Sequence, residues 1–429
     1  MNVFDRNKIS ALTAGNGAVL DISRYAIEGP GRDMVEEGFK RASSGEKHGL
    51  QIAIKALTEG GDRVILNVDS GAESKEIETG RSNLHLGGNA VNTGIAIDEV
   101  TRSMTGQKNI SIYGPLSNLM HDLMRDLVRI PIINTLSSKQ ERCAMPSRVN
   151  IVHQEKEIYV GSRPDFTGRM DTDLQFLKRE GVLMPMSNGD FLLSSCINSP
   201  LFWRKMEMYL KQNPSATLYF QPGSVHLSKI AEGAAYLPKH LLDAGRVSIL
   251  LNLNEVKGFH DHLRSNDIES HDEDAAKIKI AEQLIGENNR LTEVTFMLVR
   301  LGIKDFTITS GPGKILNYTT EPGRAGAVSM TSPTSRIFNV DFLRSIGIDV
   351  PSENVLSTGC GDTFTGAFIA LSKIYPKANK GKLLQAASLF AAIQTHNPGS
   401  NLSNLKLNDA VKQGVVNILG PVESKDIAA

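Results

Sequence analysis

Short apolar runs alternate along the chain with longer stretches in which apolar residues return at helical spacing. The runs at 110–113, 191–195, 217–220, 247–251 and 306–309 fit buried strands, while 174–179 and 276–285 fit helices between them. Such alternation predicts an α/β fold on a parallel sheet with right-handed crossovers. Residues 9–19 read as a first buried strand running into a Gly-rich turn that ends at Asp21, delivering a polar residue to a sheet edge. A charged helical stretch at 32–58 and an apolar run at 64–68 lie between that strand and the next glycine pair. Residues 149–159 read instead as two short strands meeting at a charged hairpin, and with 63–70 they would build a small separate sheet.

Composition narrows the partners. Lys plus Arg equals Asp plus Glu at 47 each, so no net basic field draws the chain to nucleic acid phosphates. Three cysteines, Cys143, Cys196 and Cys360, form no CxxC pair, which points to a reducing compartment and away from structural zinc. The N-terminus carries charges where a secretory signal needs an apolar run, and no stretch approaches the ~18 apolar residues of a membrane span. A cytoplasmic location and no membrane partner are expected.

Four segments carry candidate chemistry. In Leu356-Ser-Thr-Gly-Cys-Gly-Asp362, two glycines precede an apolar, small-residue helix. Gly359 and Gly361 would let backbone N–H groups converge on an anion at the helix N-terminus, and Asp362 would accept a proton from an attacking hydroxyl. A plain helix start capped by Asp fits the same letters. Cys360, inside that loop, stands where a helix dipole lowers a thiol pKa, but the chemistry needs its backbone and not its sulfur. In Gly87-Gly88-Asn89-Ala-Val-Asn92, glycines open a helix bearing two amides suited to gripping vicinal hydroxyls, although a turn with ordinary caps would look alike. Asn252 and Glu255 leave the carboxyl end of an apolar strand, where open α/β sheets bind ligands and where a carboxylate and an amide suit hydrated Mg²⁺. Thr309-Ser310-Gly311 follows another strand as a close-approach turn for a nucleotide, or as a tight hairpin before 315–318.

In this order, these motifs make the chain resemble the ribokinase-like (PfkB) carbohydrate and nucleoside kinase superfamily over most of its length. The resemblance implies a doubly wound, Rossmann-like α/β core over residues 1–429 with a smaller β-rich lid drawn from segments within about 22–86 and 147–172. It implies that Asp362 is the catalytic base and that the amides of Gly359, Cys360 and Gly361 form the anion hole. Asp21, Gly88, Asn89 and Asn92 match substrate-binding positions; Asn252, Thr309, Ser310 and Gly311 match nucleotide-associated positions, with Glu255 at the Mg²⁺ motif. Leu356 replaces the acidic residue usual at the start of the anion-hole motif, which is closer to ADP-dependent sugar kinases, as is the long insertion between Asp21 and Gly87. The acidic middle-strand motif of those enzymes is missing, since Tyr219-Phe-Gln-Pro-Gly-Ser224 has no carboxylate. The expectation is therefore a kinase using ATP and Mg²⁺ on a sugar, sugar phosphate or nucleoside, with ADP open as donor. A catalytically idle sugar sensor is the rival, and the superfamily's lid sheet leaves a homodimer open.

Overall fold

The computed structural model describes residues 9–13, 19–23, 84–87, 89–108, 110–114, 130, 132–134, 149–153, 156–160, 190–194, 207–208, 210–211, 214–221, 245–252, 295, 298, 303–309, 315–319, 327–331, 340–345, 359–395 and 409–421. Among them the strands are β1 (Ile9–Thr13), β2 (Val19–Ser23), β3 (Leu84–Gly87), β4 (Ile110–Gly114), β5 (Ile132–Asn134), β6 (Val149–His153), β7 (Lys156–Val160), β8 (Asp190–Ser194), β9 (Leu218–Gln221), β10 (Val247–Asn252), β11 (Asp305–Thr309), β12 (Ile315–Thr319) and β13 (Ala327–Thr331). The helices are α1 (Asn89–Thr105), α2 (Val340–Ser345), α3 (Cys360–Ile374), α4 (Lys380–Thr395) and α5 (Asp409–Leu419).

Nine strands form one sheet in the order β13-β12-β11-β10-β9-β8-β1-β4-β5. From β11 to β5 every neighbour pairs in parallel, and β12 and β13 extend the edge antiparallel. β9 and β10, in the middle of the sheet, are largely apolar because both their faces are covered: every residue of β9 is buried, and so is β10 up to Asn252. Phe306 and Tyr318, paired across β11 and β12, stack with ring centroids 4.9 Å apart. The parallel sheet expected from the alternation is thus observed, with its strand runs in place to within a residue or two. The helical patterns at 32–58, 174–179 and 276–285 and the run at 64–68 lie outside the described residues.

The second sheet has the order β3-β2-β6-β7. Here the structure corrects the reading of a first strand followed by a turn that ends at Asp21: Val19–Ser23 is a second strand. β1 belongs to the large sheet and β2 to the small one, and Gly15-Asn16-Gly17 interrupts the apolar run between them. Asp21 accordingly lies inside β2, opposite His85 and Asn150, and not at an edge of the large sheet. The expected hairpin of 149–159 is present as β6 and β7, with His153 opposite Lys156. Their partners are β2 and β3, which extends the sheet back to Val19 and on to Gly87; residues 63–70 lie outside the described residues.

Helix α1 packs on β1, β4 and β8, and α3 packs on α1 and α4. The α1–α3 crossing is close because Gly366 has no side chain. A Cβ there would lie 2.5 Å from the Thr93 carbonyl oxygen and 2.6 Å from Ala96 Cβ. Contacts advance together along both helices, Asn92 meeting Asp362 and Ala96 meeting Gly366 four residues later, so the two run in the same direction with their N-termini side by side. The far end of α3 is tied to the amino edge of the sheet: Lys373 pairs with Asp190, the first residue of β8, whose other oxygen accepts from Thr217 N at 2.9 Å. Lys380, opening α4, pairs with Asp305 and donates to Thr319 Oγ1 at 3.2 Å.

Candidate functional site

The first turn of α3 is shaped by Gly359, which occupies the N-cap position with φ 75°, a left-handed conformation that costs an L-residue about 1–2 kcal/mol. Its carbonyl accepts from Thr363 N at 2.8 Å and starts the helix. Asp362 falls three residues inside and does not serve as the cap; its carboxylate reaches across to neighbouring elements. Asn92 Nδ2, on α1, donates to Asp362 Oδ2 at 3.2 Å. Gln221 Nε2, at the last residue of β9, donates to Asp362 Oδ1 over a long 3.4 Å. Thr93 Oγ1 in turn donates to Gln221 Oε1 at 3.1 Å. Asn92, Thr93 and Gln221 are all buried, whereas Asp362 keeps partial exposure.

This cluster sits at the carboxyl edge of the large sheet beside two adjacent helix N-termini, whose dipoles both favour negative charge there. Gly361, next to Asp362, is exposed, and a Cβ built on it would meet no atom of the described residues within 4 Å. Among the described residues, the first turn therefore offers an open face at Gly361 with backbone alone on it.

Cys360 departs from the expectation of a lowered thiol pKa. The residue as a whole is partly exposed, yet desolvation of its sulfur, followed by the neighbouring Asp362 carboxylate, pushes the thiol up to about 12. The dipole is outweighed by burial and like charge, so the sulfur is inert at neutral pH.

Comparisons with known proteins bear on the fold. No protein-family model matches the sequence, and no curated protein does. Among solved structures, phosphofructokinase-2 from Escherichia coli in complex with potassium aligns over 96% of this chain and 99% of its own at 12% identity, with a TM-score of 0.53. Ribokinase from Giardia lamblia aligns over the same shares at 13% identity and TM-score 0.54. Adenosine kinase from Schistosoma mansoni in complex with 2-fluoroadenosine aligns over 92% and 97% at 11% identity, with a TM-score of 0.57. The fold is ribokinase-like.

Within this ribokinase-like fold, the expected residues divide into those brought together and those apart. Asn92 stands on Asp362, and Asn89 opens the same helix three residues earlier, as the glycine pair predicts. Asn252 and Thr309 are register partners at the carboxyl ends of β10 and β11, and Thr309 Oγ1 donates to Leu251 O at 3.3 Å. β11 and β12 pair antiparallel, so the segment after Thr309 joins two hairpin strands. Gly88, Glu255, Ser310 and Gly311 lie outside the described residues, and Asp21 lies in the small sheet. Gln221 and Thr93 were not among the expected site residues. A polar residue closing an apolar strand, followed by Pro222-Gly223, is the signal that marks Gln221. Among the described residues no cluster of three or more His, Cys, Asp or Glu gathers, and no helix is long and apolar enough to cross a membrane.

Proposed function

We propose that the protein is a small-molecule kinase that transfers the terminal phosphoryl group of ATP to a hydroxyl of a sugar, sugar phosphate or nucleoside. One observation carries the reading: a partly exposed carboxylate, Asp362, is held beside the open, side-chain-free face at Gly361 at the start of a buried helix. The named relatives in fold are a phosphofructokinase, a ribokinase and an adenosine kinase, which agrees with an alcohol acceptor.

The core in this reading is doubly wound about β1, which has β4 on one side and β8 on the other; such a switch point opens a crevice at the carboxyl ends. The four-stranded sheet acts as a lid, and its closure excludes water from the donor. Asp362 accepts the acceptor's hydroxyl proton as the oxygen attacks. The amides of Gly359, Cys360 and Gly361 face the charge that develops on the phosphoryl oxygens. Asn89, Asn92, Gly88 and Asp21 orient the acceptor, Asn92 exchanging part of its bond to Asp362 for a substrate hydroxyl. Thr309, Ser310 and Gly311 approach the nucleotide. Asn252, the last residue of β10, and Glu255, three residues on in the sequence, would hold the water shell of Mg²⁺, which would neutralise phosphate charge.

A coupled phosphorylation screen tests this, offering ATP and ADP separately with Mg²⁺ against sugars, sugar phosphates and nucleosides, with Asp362→Asn as control. Turnover with ATP that the control abolishes is the expected result. Turnover with ADP alone moves the donor assignment, and ligand binding without turnover across the panel favours the sensor.

A further inference from the structure

We infer that Gln221 is a positioning residue for Asp362, its amide fixed by Thr93 so that the N–H end faces the carboxylate; the inference rests on the reading of Asp362 as the base. A glutamine amide has a donor end and an acceptor end of nearly equal shape, so which end meets a carboxylate depends on what holds the other. Thr93 Oγ1 supplies that hold at 3.1 Å from Oε1. Thr93 is fully buried, and its backbone oxygen abuts Gly366 of α3, which fixes where its Cα sits. Gln221 in turn is the last residue of a fully buried strand. The sheet, through Gln221 with its amide turned by Thr93 of α1, therefore sets the position of Oδ1, while Asn92, the neighbour of Thr93 on α1, sets that of Oδ2.

The described groups facing Asp362 are Asn92 from α1, Gln221 from β9 and the Cys360 thiol of its own first turn. None of them is charged at neutral pH. Donor amides favour the ionised carboxylate, so removing one raises the pH at which it takes up a proton. A base whose two oxygens each meet an amide also has the plane of its carboxylate held for the incoming hydroxyl, and proton abstraction depends on that geometry.

The test uses Gln221→Met, which keeps length and loses both hydrogen-bonding ends, and Thr93→Val, which keeps shape and loses the hydroxyl. Thr93→Ser is the rescue. Two readouts are taken: the pH profile of kcat, and the ¹³C titration of the Asp362 carboxyl without substrate, its resonance identified by loss in Asp362→Asn. Gln221→Met is expected to move both midpoints upward by about one pH unit, the equivalent of one hydrogen bond to a charged group. Thr93→Val moves them the same way by less, and Thr93→Ser restores them. Unmoved midpoints in Gln221→Met and Thr93→Val, with an active wild type, overturn the inference and leave the kinase reading intact. Moved titration midpoints in a wild type that phosphorylates nothing sink the kinase reading and uphold the hold on the carboxylate. Should Gln221→Met fail to fold, the Thr93→Val and Thr93→Ser pair decides the matter on the same readouts.

Discussion

A single methyl at Gly366 should separate the two halves of the site. The added Cβ of Gly366→Ala would lie 2.5 Å from the Thr93 carbonyl oxygen, 2.6 Å from Ala96 Cβ and 3.1 Å from Ile97 N. All three are backbone or Cβ atoms, so no rotamer change relieves them. Non-bonded carbon contacts are comfortable at about 3.5–4.0 Å, so α1 and α3 must part by about 1 Å. Overpacking of this kind costs about 1–3 kcal/mol. Alanine's better helix propensity returns up to about 1 kcal/mol, leaving a modest net loss. At about 2–4 °C per kcal/mol, Tm should fall by a few degrees in calorimetry. Activity should fall much further. The Asn92–Asp362 contact lies one turn from the crossing, and a misplacement of about 1 Å can cost about 100-fold in rate. Measured side by side, kcat should drop by that order while the melting transition stays cooperative. A variant with unchanged Tm and unchanged kcat would refute the claim that this crossing aligns the site.

Gly361→Ala should do the reverse: with nothing near the new Cβ, Tm holds or rises slightly, while kcat falls because the methyl occupies the face offered to the phosphoryl group. Unimpaired kcat would remove Gly361 from the anion site. Cys360, with its thiol at about 12, should carry roughly a thousandth of the thiolate of a free cysteine at pH 8 and resist alkylation in peptide mapping; rapid labelling there would contradict its desolvation. Asp98, buried in α1, has its carboxyl raised above the usual 3.8 by desolvation, against the opposing pull of Arg102 and Lys108. Its folded state holds the proton longer than the unfolded chain, so its favourable contribution is full below the unfolded value and is lost as pH rises through the folded one. Asp98→Asn should therefore gain Tm relative to wild type on going from pH 4 to pH 7, and a relative loss over that range would overturn this.

The large sheet was legible because its strands are covered on both faces. Burial of that kind leaves uninterrupted apolar runs, and β8 to β12 fall within a residue or two of those runs. The small sheet was legible only at its β6–β7 hairpin, where two strands are joined by two residues. Its other pairings, Val19–Ser23 with Leu84–Gly87 and with Val149–His153, join segments far apart in the chain and leave no local pattern. The same reason explains the site. Gly359, Gly361 and Asp362 form one contiguous motif, so their sharing the first turn of a helix can be read directly. Gln221 meets Asp362 from 141 residues away and Thr93 from 128, and the amide that closes β9 marks a sheet end without naming its partners. Thr93 reads as an ordinary small residue in a helix until the crossing at Gly366 is seen.

The parallel contact of α1 with α3 also has a meaning in time. Asn92 and Asp362 are 270 residues apart, and at about 5–20 residues per second a ribosome needs roughly 15–50 s between them. For that interval α1, whose residues from Ala90 to Asp98 are buried in the finished fold, waits without its main helical partner. A nascent chain stopped short of residue 360 leaves the α3-facing side of α1 uncovered and lacks Asp362, the partner of Asn92. Completion of synthesis closes the surface and creates the site in the same docking event.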